Sequence, residues 1–301
     1  MYDTLNLTLL QRDFPNMDFM AELPQYMEDC EERINQQRGL ISIVGNIGGM
    51  SARVQRDKYV ISGSLTKYER GNNFDGLTRE QTQRAIERLS DTMHIPIEDA
   101  LVSRVDFGVS FPVYDPVDEY FPILGNAYGY RILEQTHGKT YKKNNLTYGR
   151  ELCFYDKIKE AGKAIPEDWR WGNTLRYELR LTARPAKQLE QAKLYASHLY
   201  NELIWRKFVE TWAEEYQKIN KMRMMEMKKA SSEIELFNLL VRFTGMSESE
   251  LCKWVAKSKG SSRTTENRLK QKIRSAFKSG GENPLAEEMD RKIQRIKEEL
   301  L

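Results

Sequence analysis

Three stretches of this chain alternate apolar and polar side chains with a period of two, and each places a carboxylate in its polar set. In Arg104-Val105-Asp106-Phe107-Gly108-Val109-Ser110-Phe111 the apolar set is Val105, Phe107, Val109 and Phe111, against Arg104, Asp106, Gly108 and Ser110. In Glu151-Leu152-Cys153-Phe154-Tyr155-Asp156-Lys157, Leu152 and Phe154 oppose Glu151, Cys153, Tyr155 and Lys157. In Leu175-Arg176-Tyr177-Glu178-Leu179-Arg180-Leu181 the polar set is Arg176, Glu178 and Arg180. Period two is the signature of a strand with one face buried. The chain must therefore build a sheet with an oily side and an open, charged side.

A solvated charged face satisfies any one of these strands. Together they place Asp106, Glu178, Glu151 and Tyr155 on one surface. Two or three carboxylates form a hard oxygen site for magnesium or manganese, and neighbouring arginines suit phosphate. Tyrosine adds a nucleophile.

The order of these motifs resembles a known family. Arg104-Val105-Asp106 with Phe107-Gly108-Val109, then Tyr148-Gly149-Arg150 leading into Phe154-Tyr155-Asp156-Lys157 with Glu160, then Leu175-Arg176-Tyr177-Glu178-Leu179-Arg180, is similar to the filamentous-phage gene II type of replication protein. It is more distantly similar to plasmid rolling-circle initiators with a nicking tyrosine in a Tyr-(Asp/Asn)-Lys strand. The match spans roughly residues 1 to 185. Ser62-Gly63-Ser64-Leu65-Thr66-Lys67-Tyr68 followed by Gly71-Asn72-Asn73 resembles the family's small-residue loop, although by itself it reads as a plain loop.

The resemblance implies an enzyme that initiates rolling-circle replication by nicking and rejoining origin DNA through a 5′-phosphotyrosyl intermediate. Tyr155 would be the nucleophile, with Tyr148 its rival. A phenol with a pKa of about 10 needs activation at neutral pH. Lys157 would lower that pKa or contact phosphate, and a metal on Asp106 and Glu178 would polarise the scissile phosphate. Glu151 is a third candidate ligand, or else an ion-pair partner of Arg150, Arg176 or Arg180. Arg104, Arg176 and Arg180 are candidate DNA contacts. The resemblance also implies single- and double-stranded origin DNA, a host helicase and a polymerase as partners. The alternative is a non-catalytic DNA-binding or copy-control protein on the same scaffold. Retention of Asp106, Tyr155 and Glu178 favours the enzyme, because acidic groups facing a polyanion cost a mere binder affinity.

Elsewhere, Leu5, Leu7 and Leu9 mark an opening strand, Phe19 to Gln37 reads as a helix, and Leu40 to Val44 and Tyr59 to Leu65 as strands. Gly45-Asn46-Ile47-Gly48-Gly49 is a turn-rich break between those two strands. Thr78 and Gln81 form a capping box for a helix running to about His94. Asp115-Pro116-Val117-Asp118 can open a short helix ending near Gly125. Tyr128, Tyr130, Tyr141 and Tyr148 interleave with Arg131, Lys139, Lys142 and Lys143, as suits either a solvent-facing hairpin or a single-stranded nucleic-acid surface.

Past Arg184-Pro185 the strand signals stop, and helices are expected at about 197 to 229, 232 to 243, 247 to 258, 263 to 278 and 285 to 300. No internal repeat is evident. The expected architecture is α+β: a largely antiparallel sheet with helices on one face. A nicking domain over 1–185 is followed by an all-helical region over 186–301 for DNA binding or self-association. Ser247 to Phe277 could form a helix-turn-helix-like pair carrying Arg263, Arg268, Lys270, Lys272 and Arg274 toward duplex DNA. The last helix, with Leu285, Met289, Ile293, Ile296 and Leu300, suits docking or a homo-oligomer contact.

The net charge of +3 says little as a total, and the basic residues concentrate between Lys253 and Lys278, opposed there only by Glu266. Cys30, Cys153 and Cys252 are far apart, with no zinc spacing, and His94, His137 and His198 form no His-x-His pair. Any metal must therefore rest on carboxylates. No apolar segment approaches the roughly 20 residues of a membrane span, so a cytoplasmic protein without membrane contact is expected.

Overall fold

The alternating stretches form strands because each can bury one side chain in two against helices while its backbone pairs with both neighbours. The structure, a computed structural model, describes residues 1–37, 39–143, 149–162, 165–170, 172–221, 248–257, 263–278 and 283–301. Its strands are β1 (Tyr2–Leu10), β2 (Glu28–Asn35), β3 (Leu40–Ile47), β4 (Met50–Gln55), β5 (Lys58–Ser64), β6 (Leu101–Val113), β7 (Leu124–Ala127), β8 (Tyr130–Gln135), β9 (Gly138–Lys143), β10 (Arg150–Asp156), β11 (Asn173–Leu181) and β12 (Ile219–Lys221). Ten of them make one sheet in the order β2-β3-β4-β5-β1-β6-β11-β10-β9-β8, while β12 pairs with β7. Every neighbouring pair in the large sheet is antiparallel.

That order contains a repeat that the sequence does not display. The first strand of each half, β1 or β6, pairs with the last of its own half, β5 or β11, and the two first strands pair at the centre. Each half then leads into a long helix. The helices are α1 (Phe19–Glu22), α2 (Leu65–Arg70), α3 (Arg79–Met93), α4 (Lys157–Ala161), α5 (Pro185–Gln188), α6 (Glu202–Gln217), α7 (Glu248–Lys257), α8 (Arg263–Lys278) and α9 (Pro284–Leu300). The capping box of α3 is present as expected, and the Asn201 side chain caps α6.

The two long helices α3 and α6 cover one face of the sheet. Ala85, Ile86, Leu89 and Met93 of α3, and Trp205, Phe208, Trp212 and Tyr216 of α6, are buried with Leu5, Leu7, Ile61, Phe107, Phe154 and Tyr177 of the strands. Phe154 stacks on Tyr177 with centroids 4.4 Å apart, and Phe107 stacks on Phe208 at 5.7 Å. Such pairs add about 0.5–1.5 kcal/mol beyond their buried area. Met289 and Ile293 of α9 join this core, so it continues past residue 185. Helices α7 and α8 share a small cluster of their own around Leu251, Val255 and Ile273. No helix among the described residues is long and apolar enough to cross a membrane.

Several local expectations change. The helix expected from Phe19 to Gln37 stops at Glu22, and residues 28–35 form β2 instead. Pro24 opens a new 3-10 turn, and pairing with β3 then captures the polar run that follows. The Gly45 to Gly49 break is strand as far as Ile47, with the turn at Gly48 and Gly49, both at positive φ. The helix expected after Asp115 is a single 3-10 turn, Val117–Glu119. The helix expected over 197–229 is α6, followed by β12. The expected helix over 232–243 lies outside the described residues, as do residues 222–229 of the helix expected before it, Ser247 and Tyr148.

Candidate functional site

On the open face of the sheet, register rather than sequence proximity assembles the charged residues. Asp106 lies opposite Arg180, Gly108 opposite Glu178 and Ser110 opposite Arg176. On the other side of β11, Glu151 lies opposite Arg180, Cys153 opposite Glu178 and Tyr155 opposite Arg176. Glycine at position 108 is required by this packing. A Cβ there would lie 2.5 Å from Glu178 Cγ, so its absence lets the glutamate lean across β6.

The result is a row of six alternating charges. Asp3 accepts from Arg176 Nη2 at 3.1 Å, and Arg176 Nε donates to Glu178 Oε1 at 2.6 Å. Arg180 donates to Glu178 Oε2 through Nη2 at 2.7 Å, and its Nε lies 3.7 Å from Asp106 Oδ2. Arg104 closes the row by donating to both oxygens of Asp106, at 3.0 and 2.7 Å. The Tyr155 hydroxyl donates to Glu178 Oε1 at 2.7 Å, in the middle of the row. Arg176, Glu178 and Asp106 are each 2% exposed, so solvent scarcely screens these pairs.

Burial alone would raise the Glu178 carboxyl, but Arg176 and Arg180 outweigh it and hold the group at about 2. For Asp106 burial wins over its arginines, and the carboxyl is raised. Burial, reinforced by the charge of Glu178, pushes Tyr155 above the ordinary phenol value. The hydroxyl is thus firmly protonated and donates to a carboxylate that is firmly ionised. Burial likewise pushes the Cys153 thiol up to about 11.

The site draws in residues that sequence reasoning missed. Asp3 also binds the Ser64 hydroxyl and accepts from Asn73 Nδ2 at 3.0 Å. Arg176 Nη1 reaches the Asn73 carbonyl and the Ser110 hydroxyl. Ser64 and Asn73 belong to the small-residue stretch noted above, which the fold folds over the end of β1. Asp3 was hidden by a bulge. Between Tyr2 and Leu5 three steps along β1 match two along β6, so Asp3 leaves the parity of Leu5, Leu7 and Leu9 and turns to the open face.

Other expected residues go elsewhere. The strand ends at Asp156, whose side chain caps α4, and Lys157 is the first residue of that helix. Lys157 Nζ donates to Asn73 Oδ1 at 2.8 Å and to Glu160 at 2.6 Å, so it supports the Asn73 loop. Glu151 pairs with Lys142 at 2.8 Å, and Arg150 pairs with Glu215 of α6. On α8, Arg268, Lys272 and Arg274 are exposed and Lys270 pairs with Glu266; of Arg263 the structure describes only its place at the start of the helix.

Asp106 and Glu178 fit a magnesium- or manganese-type ion that takes one or two protein carboxylates and completes its shell with water and phosphate. They are hard oxygen donors, linked now by Arg180. Among the described residues no three His, Cys, Asp or Glu come together as a metal cage.

Compared with known families, the chain matches, over residues 1–215, the profile described as the N-terminal part of the phage replication-associated protein of the gene II type. No curated protein matches it. Among solved structures, the di-domain ARO/CYC BexL from the BE-7585A biosynthetic pathway aligns with 72% of this chain and 96% of its own at 11% identity. The TM-score of 0.23 is too low to carry an argument.

Proposed function

The chain belongs to the family of phage replication-associated proteins of the gene II type, and on that premise we propose that it starts rolling-circle replication by nicking and rejoining origin DNA, with Tyr155 as the nucleophile. The observation that carries this reading is the 2.7 Å hydrogen bond from the Tyr155 hydroxyl to Glu178 within the six-charge row. The tyrosine oxygen attacks phosphorus, the bond from phosphorus to the 3′ oxygen breaks, and the 5′ phosphate stays on the protein. The phenol proton is given up and the departing 3′ oxygen takes one, leaving a free 3′-hydroxyl for a polymerase. Attack by a hydroxyl on the phosphotyrosine reverses the step and reseals the strand.

The two oxygens of Glu178 divide the work. Oε1 accepts from Tyr155 and from Arg176 and is placed to receive the phenol proton, whereas Oε2 accepts from Arg180, which also approaches Asp106. DNA phosphates compete for Arg104 and Arg180, whereas Arg176, expected from the sequence to touch DNA, is 2% exposed and stays on Glu178 and Asp3. As Arg180 turns to phosphate, Glu178 loses one of the two charges that hold its carboxyl at about 2 and becomes a better proton acceptor. Asp106 and the Oε2 side of Glu178 would hold the divalent ion, which when bound polarises the scissile phosphate. Lys157 positions Asn73, and through it Asp3 and Arg176. The exposed cations of α8 suit duplex DNA beside the origin, and the host helicase and polymerase are partners of the product.

The test uses labelled single-stranded origin DNA with and without manganese, comparing the wild type with Tyr155→Phe. The expected result is a nick bearing a protein adduct, dependent on metal and lost in the variant. Cleavage surviving in Tyr155→Phe would move the nucleophile to Tyr148 or to water. Tight binding with no cleavage under any metal would favour a non-catalytic binder.

A further inference from the structure

Beside the nucleophile the open face carries a cavity of about 270 Å³ lined by Gln135, His137, Tyr155, Asp156, Lys159, Glu160 and Arg180. It forms because the turn from β8 to β9 rises beside β10, whose end it meets through a hydrogen bond from the Asp156 amide to the His137 carbonyl. Gly138, opposite Tyr155, permits the approach: a Cβ there would lie 2.7 Å from the Phe154 carbonyl oxygen and 3.1 Å from Tyr155 Cβ. The volume falls just below the roughly 300 Å³ at which ordinary small-molecule sites begin. It is too small for a duplex end and suits one nucleotide.

The lining has the polarity a nucleotide needs. Arg180 and Lys159 are cationic, held at present by Glu178 and by the exposed Asp118, which a phosphate would have to replace, and each acid is likewise engaged, Asp156 by the α4 amides and by Lys159 at 3.5 Å, Glu160 by Lys157. Gln135 at the end of β8 and His137 on the turn are exposed, with side chains that have no partner among the described residues. A glutamine amide and an imidazole can each donate to and accept from a base edge, and an imidazole also offers a stacking face.

Resting on the nicking role of Tyr155, we propose that this cavity is a subsite for one unstacked deoxynucleotide flanking the scissile phosphate. Arg180 and Lys159 bind its phosphate, and Gln135 and His137 contact its base. An extruded nucleotide held there fixes which phosphorus meets Tyr155, so the subsite sets the position of the nick. Nothing in the proposal requires the tyrosine to react for the nucleotide to bind.

The test is binding of the four deoxynucleoside 3′,5′-bisphosphates to the full chain, followed by NMR of the histidine ring resonances, with inorganic phosphate as the comparison. The expected result is saturable binding of at least one bisphosphate that shifts the His137 resonances. Binding should weaken about tenfold in Gln135→Ala and in His137→Ala, as for loss of one or two hydrogen bonds. No saturable binding, binding unchanged in both turn variants, or phosphate binding as tightly as every bisphosphate would overturn the subsite. Should origin DNA be nicked while no bisphosphate binds, the subsite fails and the nicking role stands. Should bisphosphates bind through Gln135 and His137 with no nicking, the subsite holds for a binder and the nicking role fails.

Discussion

In one half of the sheet β1, β4 and β5 turn Asn6, Thr8, Ser51, Arg53 and Ser62 to the open face, whereas β6 and β11 in the other turn Arg104, Asp106, Arg176, Glu178 and Arg180 to it. The topology is the same, and both halves press an apolar face against a long helix. The scaffold therefore does not dictate the chemistry. Buried side chains keep each half folded, and the open positions are left to carry either hydroxyls and amides or a charge row. On β1, β4 and β5 Asp3 is the sole open-face acid, and it belongs to the site, whereas Glu28, Asp29, Glu31 and Glu32 of this half lie exposed on the edge strand β2.

This contrast can be broken most sharply at Glu178. Glu178→Gln keeps the shape and removes the charge that Arg176, Arg180 and Tyr155 share. Nicking should fall by roughly 10²–10⁴-fold, as for loss of a positioned proton acceptor, and a urea or guanidinium titration should show a loss of about 3–5 kcal/mol from arginines left unpaired. Ser51→Ala in the other half should move stability by no more than about 0.5 kcal/mol. Equal effects at the two positions would abolish the distinction.

Acid titration sharpens it further. The folded-state carboxyl of Glu178 lies at about 2, below the ordinary glutamate value of about 4.3. Its stabilisation is therefore complete above that ordinary value and is lost as pH falls toward 2. Equilibrium unfolding from pH 6 to 2 should show a steep acid limb in the wild type and a flatter one in Glu178→Gln. A limb unchanged by the substitution would place the acid sensitivity elsewhere.

Gly108→Ala should cost about 1–3 kcal/mol, as overpacking does, because the added Cβ meets Glu178 Cγ at 2.5 Å. Activity should fall more than stability, since the displaced atom belongs to the site. The smallest effect is expected at Arg53. Arg53→Ala should weaken single-stranded DNA binding evenly across sequences and lower the slope of log affinity against log salt by about 1, without changing where the strand is cut.

Period two made β6, β10 and β11 legible, and with them the shared face of Asp106, Tyr155, Glu178 and the arginines. Asp3 was not legible, because alternation assigns it to the core with Leu5 and only the bulge opposite β6 reverses it. Asn73 was not legible either, since its place depends on a loop meeting Arg176 across the sheet. Lys157 was misplaced on the strand because alternation carries no mark of where α4 begins, whereas the Asp156 cap supplies one in space. The repeat escaped notice because pairing order leaves no trace in residue identity, and the polar run of β2 passes for a helix until β3 is beside it.

The central claim is that the charge row makes Tyr155 the nucleophile, and peptide mapping of the trapped DNA adduct tests it most directly. Trypsin cuts after Lys143, Arg150 and Lys157, so Tyr155 lies alone among tyrosines in residues 151–157 and Tyr148 alone in 144–150. After reaction with origin DNA and digestion by nuclease and trypsin, the nucleotide mass should appear on residues 151–157. A nucleotide on residues 144–150, or on neither peptide after complete cleavage, would contradict the account.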